Sequence, residues 1–265
     1  MKYAFMSFST PDMSLTDMLQ TARRFGYDGI EPRMDAGHAH GIEVAAGKQE
    51  RAAIRETVAQ SGVELVCLAT SLRYADPEKA NDVMQQTRER IELAGDLGIP
   101  TLRVFGGTLP EGLSREDAID TVVHCLGMAG DWAGERDVTI CLETHDDWTD
   151  PRDVAAVMES VNLSHVAVNW DVMHPVRTGK ATMQEAFERL KPWIRHLHVH
   201  DGVQAGGKLE LRPIGSGEFD HRTVIRNLEA IDYRGAVSGE WIKWADPWEV
   251  HLPRELKTLR SYESA

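Results

Sequence analysis

The sequence predicts an α/β fold, a (β/α)₈ TIM barrel formed as a single domain over residues 1–265. Short apolar runs of three to seven residues alternate with amphipathic stretches along the whole chain. Eight such pairs give about 33 residues per unit, which matches the roughly 250 residues that this barrel needs. No Pro-, Gly- or Ser-rich stretch marks a linker between two domains.

The strands are predicted from short runs rich in β-branched and other apolar residues. A parallel strand that is covered on both faces carries side chains of this kind on both sides. In chain order, the predicted strands are Lys2–Phe8, Gly29–Glu31, Glu64–Ala69, Thr101–Phe105, Val138–Glu143, His165–Asp171, His196–His200 and Ala236–Glu240.

The helices are predicted between these strands, and several have clear boundary signals. Ser14 and Asp17 resemble a capping box, and Asp150 precedes Pro151 at the first helical position. Glycines follow three helices where a left-handed residue is expected: Gly26, Gly62 and Gly98. The predicted helices are Leu15–Phe25, Gln49–Ser61, Glu78–Leu97, Arg115–Glu135, Pro151–Ser160, Met183–Leu190, Arg222–Ala230 and Pro247–Leu259.

A doubly wound open sheet is the main alternative, because it shows the same alternation of strands and helices. Such a sheet usually carries a G-x-G-x-x-G fingerprint in the turn after its first strand. Here that turn is SFSTPDMS and contains no glycine. The sequence therefore favours the closed barrel.

Composition narrows the classes of partner. The chain has 42 acidic and 29 basic residues, a net charge of −13, which disfavours nucleic acids and anionic membranes. The three cysteines form no C-x-x-C pair, which is typical of a reducing compartment. Neither a signal peptide nor an apolar run of about 20 residues is found. We expect a cytoplasmic protein with a small-molecule partner; homo-oligomerisation is left open.

Acidic residues and histidines gather at the predicted strand ends, which are where active sites lie in such barrels. Side chains alternate across a strand, so if Ile140 and Leu142 pack on helices, Glu143 points inward. The same alternation turns the histidines of the seventh strand inward. It also turns Glu240, the last residue of the eighth strand, inward.

Inward carboxylates repel one another and need a compensating cation, which a divalent metal supplies. The predicted ligands come from four consecutive strands: Glu143, Asp171, His198 and Glu240. Three carboxylates and one imidazole form a hard site. Such a site suits Mn²⁺ first, with Mg²⁺, Co²⁺ and Zn²⁺ as alternatives.

The motifs in this order resemble the xylose isomerase-like barrel superfamily, in particular its sugar phosphate isomerase/epimerase group. The similar segments are GYDGIE at 26–31, L-E-x-H at 142–145, D-x-x-H at 171–174, H-x-H-x-x-D at 196–201 and PIGSGEFD at 213–220. Nearly the whole chain is covered. The resemblance implies the same four metal ligands.

The resemblance also implies roles for individual residues. Glu143 and Glu240 would be the catalytic acid/base pair, and His174 would contact substrate. An arginine after the seventh strand binds substrate in ketose epimerases, and Arg212 is the corresponding residue here. Lys208 is an alternative, because the loop after the seventh strand differs in length from that of the ketose epimerases.

Three more residues are candidates for substrate contact. His145 would hydrogen-bond a hydroxyl or hold a ligand, or else be an ordinary loop residue. Glu31 would bind a hydroxyl or phosphate, or form an ion pair at the rim together with Arg33. Trp170 would stack on a sugar, or pack in the core.

The expected function is that of a metal-dependent isomerase or epimerase in carbohydrate metabolism. It would abstract a proton next to a carbonyl of a sugar, sugar phosphate or small hydroxy-ketone and pass through a metal-stabilised enediolate. A metal-dependent lyase, an inosose-type dehydratase or keto-glycoside eliminase, shares that intermediate. An endonuclease IV-like nuclease is a remote alternative, since His38 and His40 could mimic its early histidines, but the charge disfavours DNA.

Overall fold

The structure is a computed structural model that describes residues 1–264. Its strands are β1 (Lys2–Met6), β2 (Gly29–Glu31), β3 (Glu64–Leu65), β4 (Leu68–Arg73), β5 (Thr101–Phe105), β6 (Thr139–Glu143), β7 (Val166–Asp171), β8 (Ile194–Val199), β9 (Asp201–Ala205), β10 (Lys208–Arg212) and β11 (Ala236–Gly239). Its helices are α1 (Leu15–Phe25), α2 (Lys48–Ser61), α3 (Ala80–Leu97), α4 (Arg115–Gly134), α5 (Pro151–Val161), α6 (Met173–Arg177), α7 (Met183–Leu190), α8 (His221–Ala230) and α9 (Trp248–Arg260).

Nine parallel strands form one sheet in the order β3-β2-β1-β11-β8-β7-β6-β5-β4. The strands at the two ends of this row, β3 and β4, are consecutive parts of the segment that was predicted as one strand, Glu64–Ala69. The row therefore closes into a barrel. A parallel bridge between Arg33 and Ala69 joins β2 to β4. The Ala69 N–H also donates to the Pro32 carbonyl at 3.0 Å. The TIM barrel prediction is confirmed.

The predicted helix boundaries are set by the expected caps. Ser14 Oγ accepts from the Asp17 N–H at 3.2 Å, and Asp150 Oδ1 accepts from the Arg152 N–H at 3.0 Å. Positive φ angles occur at all three predicted terminal glycines: Gly26, Gly62 and Gly98.

Within the described chain, no helix is both long enough and apolar enough to cross a membrane.

Two elements differ from the prediction. The segment after β8, predicted as a loop, forms an antiparallel hairpin of β9 and β10. Gly206 and Gly207 connect its strands with φ of 57° and 78°, as a two-residue turn that matches the strand twist requires. The short helix α6 was also not predicted, because five residues are too few for a periodic signal.

Asp201 holds the segment 213–220 against the end of β8. Its buried carboxylate accepts N–H bonds from Gly215 at 2.8 Å, Gly217 at 3.1 Å and Phe219 at 3.3 Å. The H-x-H-x-x-D motif at 196–201 and the PIGSGEFD motif at 213–220 are therefore one structural unit. Asp201 fixes the segment 213–220 beside the carboxyl ends of the barrel strands.

The barrel wall separates an outer apolar core from an interior that changes in polarity along its axis. The interior near the amino ends of the strands is a small apolar cluster of Ala4, Val66, Cys67 and Ala236. Toward the carboxyl ends, the interior carries acids, histidines and an arginine. The alternation predicted from the sequence is observed, because the outward residues all belong to the main core: Ile140, Leu142, Leu197, Val199 and Val237.

Candidate active site

Four residues meet at the carboxyl ends of four consecutive strands. Glu143 ends β6, Asp171 ends β7, His198 lies on β8 and Glu240 follows β11. One ligand atom from each lies within 4.8 Å of the others. All four are buried, with at most 6 % of any residue exposed. The structure thus brings together the ligand set that the sequence analysis selected.

The two ring nitrogens of His198 face different carboxylates. Nδ1 lies 2.7 Å from Glu143 Oε1 and 3.6 Å from Glu240 Oε2, whereas Nε2 lies 3.0 Å from Glu31 Oε1. Burial alone would lower the pKa of His198, but these carboxylates raise it well above its usual value. Because Nδ1 faces Glu143 and Glu240, Nδ1 is the nitrogen that a cation held by the four residues would meet, whereas Nε2 donates to Glu31.

Glu31 lies next to this group and is fully buried. Its Oε2 lies 2.8 Å from His196 Nε2, and its Oε1 contacts His198. Burial would raise the pKa of Glu31, but the two imidazoles hold it well below the usual range. The expected contact with a substrate hydroxyl or phosphate is corrected: Glu31 forms an ion pair inside the barrel, and its partners are histidines.

Arg103 was not among the predicted site residues. It is 1 % exposed, and its Nε lies 3.3 Å from Glu143 Oε2. Its flanking residues Leu102 and Val104 belong to the outer core, so the same alternation argument would have placed Arg103 inside. Burial raises the pKa of Glu143, but Arg103 and His198 outweigh this and lower it to about 2.

A row of three imidazoles extends from the ligand group toward the rim. The His145 and His174 ring centroids are 4.4 Å apart, and His174 and His200 are 5.6 Å apart. His200 Nε2 lies 3.0 Å from Asp171 Oδ2. His174 and His145 are thus placed beside the predicted ligands, and Asp171, His174 and His200 form a second group with metal-ligand geometry.

His174 and His145 differ in charge. Burial lowers the pKa of His174 to about 4, so it is neutral at pH 7. For His145, burial also lowers the pKa, but a 2.9 Å contact with Asp146 and the charge of Glu143 raise it to about 9. A proton donor therefore stands next to a neutral hydrogen-bonding ring.

Two predicted substrate contacts lie elsewhere. Trp170 is fully buried on the outer face of β7, with its ring 6.0 Å from that of Phe187. Its strand neighbour Asp171 points inward, so Trp170 cannot, and the expected stacking is corrected to core packing. Arg212 is half exposed on β10, pairs with Glu210 at 2.7 Å and makes no bond to the four ligand residues.

The early-loop histidines take part in hydrogen bonds of their own loop. His40 Nδ1 accepts from the Ile42 N–H at 3.0 Å and its Nε2 donates to the Arg33 carbonyl at 3.1 Å. His38 Nδ1 lies 2.8 Å from Ser7 Oγ. Over residues 1–264, neither belongs to a group with metal-ligand geometry. The positions of His38 and His40 therefore give no support to the endonuclease alternative, which requires them as metal ligands.

Comparison with known proteins gives the family. The model of the xylose isomerase-like TIM barrel matches residues 19–262. The chain belongs to the xylose isomerase-like TIM barrel family. This confirms the resemblance drawn from the sequence motifs.

One curated protein and two solved structures illustrate what this chain is similar to. A Haemophilus influenzae protein provisionally named L-ribulose-5-phosphate 3-epimerase is 22 % identical over 83 % of this chain and 81 % of its own. The 3-keto-D-glucoside 4-epimerase of E. coli superposes with a TM-score of 0.80 at 17 % identity, over 98 % and 99 % of the chains. A Bacillus anthracis protein provisionally assigned as a 3-DHS dehydratase gives 0.79 at 20 % identity, over 98 % and 99 %.

The residues of this barrel fit a hard divalent cation. The donor set is three carboxylates and one imidazole, which suits Mn²⁺, Mg²⁺, Co²⁺ or Zn²⁺. Glu143 Oε2 and Asp171 Oδ2 are buried and make no hydrogen bond of good geometry within residues 1–264, although Arg103 Nε lies 3.3 Å from the first and His200 Nε2 lies 3.0 Å from the second. Buried oxygens of this kind are ordinarily satisfied, and a cation among the four ligand atoms would satisfy both.

Substituting Glu31 by Gln is expected to weaken Mn²⁺ binding by roughly 10–100-fold, as loss of an outer partner of a ligating histidine typically does. The amide still accepts a hydrogen bond but no longer holds a negative charge against His198. Calorimetric titration with Mn²⁺ measures the change. Glu64→Gln, an exposed change on the neighbouring strand β3, is the control; equal affinities for both variants would contradict the role.

Proposed function

We propose that this barrel is a divalent-metal-dependent isomerase or epimerase of a sugar, sugar phosphate or small hydroxy-ketone. Residues 1–265 would act as one catalytic domain. Its partner would be a small carbohydrate or polyol rather than a nucleic acid or a membrane, as the net charge of −13 also favours.

The observation that carries this proposal is the placement of two glutamates on either side of the ligand group. Glu143 and Glu240 belong to the outermost of four consecutive strands, β6 and β11, with Asp171 and His198 between them. A substrate lying over the group therefore has one carboxylate near each of two faces. Proton transfer at two faces of one carbon is what epimerisation requires.

The chain's own residues then divide the work. One glutamate removes the proton next to the carbonyl, and the other returns a proton to the opposite face. Return to the neighbouring carbon would instead give an aldose–ketose isomer. A divalent cation, when bound, supplies polarisation of the carbonyl and charge stabilisation for the enediolate. His174, neutral at pH 7, is placed to hydrogen-bond a substrate hydroxyl.

Arg103 sets the basicity of one member of this pair. Its charge 3.3 Å from Glu143 keeps that carboxylate ionised. Glu240 has no arginine within 4.0 Å in the part of the chain that is described. The two glutamates therefore differ in their partners, and Glu240, which has no buried cation paired with it, is the first choice for abstracting the proton.

A lyase is the second candidate, and His145 is the observation that favours it. With its pKa raised to about 9, His145 is protonated at pH 7 and can donate a proton to a departing hydroxyl. The B. anthracis neighbour, provisionally assigned as a dehydratase, shares the fold. Elimination and epimerisation would begin with the same proton abstraction.

Incubation in D₂O with ketoses and keto-inositols tests the proposal and separates the two candidates. The Mn²⁺-loaded protein is mixed with each compound, and products are followed by mass spectrometry and NMR. We expect deuterium next to the carbonyl, with an epimer or isomer formed and no loss of mass. Loss of water would identify the lyase. Absence of exchange into every compound would contradict both candidates.

A further inference from the structure

A half-buried guanidinium, that of Arg33, lies at the carboxyl end of β2 beside the ligand group. The residue follows Glu31 by two, so its side chain lies on the same inward side of the strand. The charges of Glu240 and Glu143 act on it. Arg33 therefore belongs to the mouth of the barrel, on the arc that the four predicted metal ligands leave free.

This guanidinium has no carboxylate partner. Arg33 donates to the Met34 carbonyl and, at 2.6 Å, to Ser71 Oγ, and within residues 1–264 no acidic oxygen lies within 4.0 Å of it. Burial, together with the like charge of Arg103, lowers its pKa to about 10. The charges of Asp35, Glu240 and Glu143 act in the opposite direction, but none of these carboxylates forms an ion pair with the guanidinium, so its N–H donors remain available to a further anion.

The backbone of Arg33 is held firmly from both sides. Its N–H donates to Ser7 Oγ at 2.8 Å, and its carbonyl accepts from His40 Nε2 at 3.1 Å. Since His40 Nδ1 accepts from the Ile42 N–H, the ring proton lies on Nε2. Burial lowers the pKa of His40 to about 4, so this arrangement persists at pH 7.

Space for a ligand adjoins the side chain. Ser71, the hydrogen-bond partner of Arg33, is exposed and lines a cavity of about 470 Å³ together with Arg73, Lys79 and Gly106. The lining also includes Asp76 and Asp82, so its two cations are balanced by two carboxylates, and Lys79 is paired with Asp76. Within residues 1–264, Arg33 is therefore the cation beside this cavity that no carboxylate pairs directly.

We propose that the substrate carries an oxyanion, a carboxylate or a phosphate ester, and that Arg33 is the residue that binds it. This rests on the proposed function, because it assumes that the same molecule reaches the ligand group. The carbonyl of the substrate and the hydroxyl next to it would lie over Glu143 and Glu240, while the anionic end of the same molecule reaches Arg33 across the mouth of the barrel. Guanidinium groups suit both anions through paired N–H donors.

Binding of polyols that cannot react separates this inference from the proposed function. Calorimetry on the Mn²⁺-loaded protein compares D-glucitol, which is neutral, with D-gluconate and D-glucitol 6-phosphate. We expect at least one of the two anions to bind ten-fold or more tightly than D-glucitol. The one that does identifies carboxylate or phosphate as the preferred group.

The variant Arg33→Met tests the assignment of that preference. We expect the ratio of anionic to neutral affinity to fall to within two-fold of unity, with affinity for Mn²⁺ and for D-glucitol changed less than two-fold. Arg234→Met, which removes an exposed cation beside Asp232, should leave the ratio unchanged. Because no ligand turns over, failure of the D₂O experiment would not affect this result.

Two outcomes would overturn the inference. If the wild type shows no preference for either anion, the mouth does not recognise an oxyanion. If the ratio persists in Arg33→Met, Arg33 does not bind the anion; tighter Mn²⁺ binding by that variant would then identify Arg33 as a counter-charge to the ligand carboxylates.

Discussion

Glutamine at position 143 or 240 is expected to reduce epimer or isomer formation by roughly 10²–10⁴-fold, the contribution typical of a positioned acid or base. Each amide keeps the size of the side chain but can neither take nor return a proton. Activity is measured at saturating Mn²⁺, because each change also removes a charge from the metal ligands. Near-full activity of either variant would show the acid/base assignment to be wrong.

The two variants should differ in stability and in partial reactions. Glu143→Gln leaves the buried Arg103 without a carboxylate, which is expected to lower the free energy of unfolding by roughly 3 kcal/mol. Glu240 has no arginine partner, so its variant should lose less. Glu240→Gln should also slow exchange from the epimer whose proton faces β11 more than from the other epimer.

Glu188→Gln is the control for both variants. Glu188 lies on α7, is half exposed and contacts Lys191 and Gln184. Its substitution should change neither activity nor the free energy of unfolding measurably. A loss of activity shared with this control would point to handling of the protein and not to the site.

Loss of the imidazole in His198→Ala is expected to lower Mn²⁺ affinity by more than roughly 100-fold, beyond the range typical of an outer partner. His198 supplies the single nitrogen among the four ligand atoms and separates Glu31 from Glu143. Without it, Glu31 and Glu143 each lose one hydrogen-bond donor. Elemental analysis and calorimetric titration measure the effect.

His124→Ala provides the matched comparison, since His124 is exposed on α4. It should bind Mn²⁺ as the wild type does. Metal content of His198→Ala equal to that of His124→Ala would reject His198 as a ligand. Far-ultraviolet circular dichroism of both variants establishes that the comparison is made on folded protein.

Much of the barrel follows from patterns that a single strand or helix carries. The ends of α1 and α5 depend on Ser14 and Asp150, each of which bonds to an N–H two or three residues away. Glu143 and His198 are assigned to the interior because side chains alternate on every strand. Such rules need no knowledge of neighbouring strands, so they can be applied to the sequence directly.

Among the expectations that the structure corrects, only the one for Glu31 depended on contacts between distant parts of the chain. For Trp170 the sequence leaves stacking on a sugar and packing in the core open, and the alternation that turns Asp171 inward turns Trp170 toward Phe187 in the core. Glu31 was weighed as a rim residue, yet closure of the ring places its oxygens against His196 and His198. The hairpin of β9 and β10 was missed, although Gly206 and Gly207 are a recognisable turn signal.

The sequence by itself determined the barrel class, the helix caps and which strand ends carry acids and imidazoles, because these depend on backbone periodicities and bonds within a few residues. Only the tertiary structure decided that His198 presents Nδ1 to Glu143 and Nε2 to Glu31, a residue 167 positions away. It alone showed that Arg103 has a carboxylate beside it and Arg33 has none. Those pairings arise when the ring closes, and closure brings together side chains that local rules cannot relate.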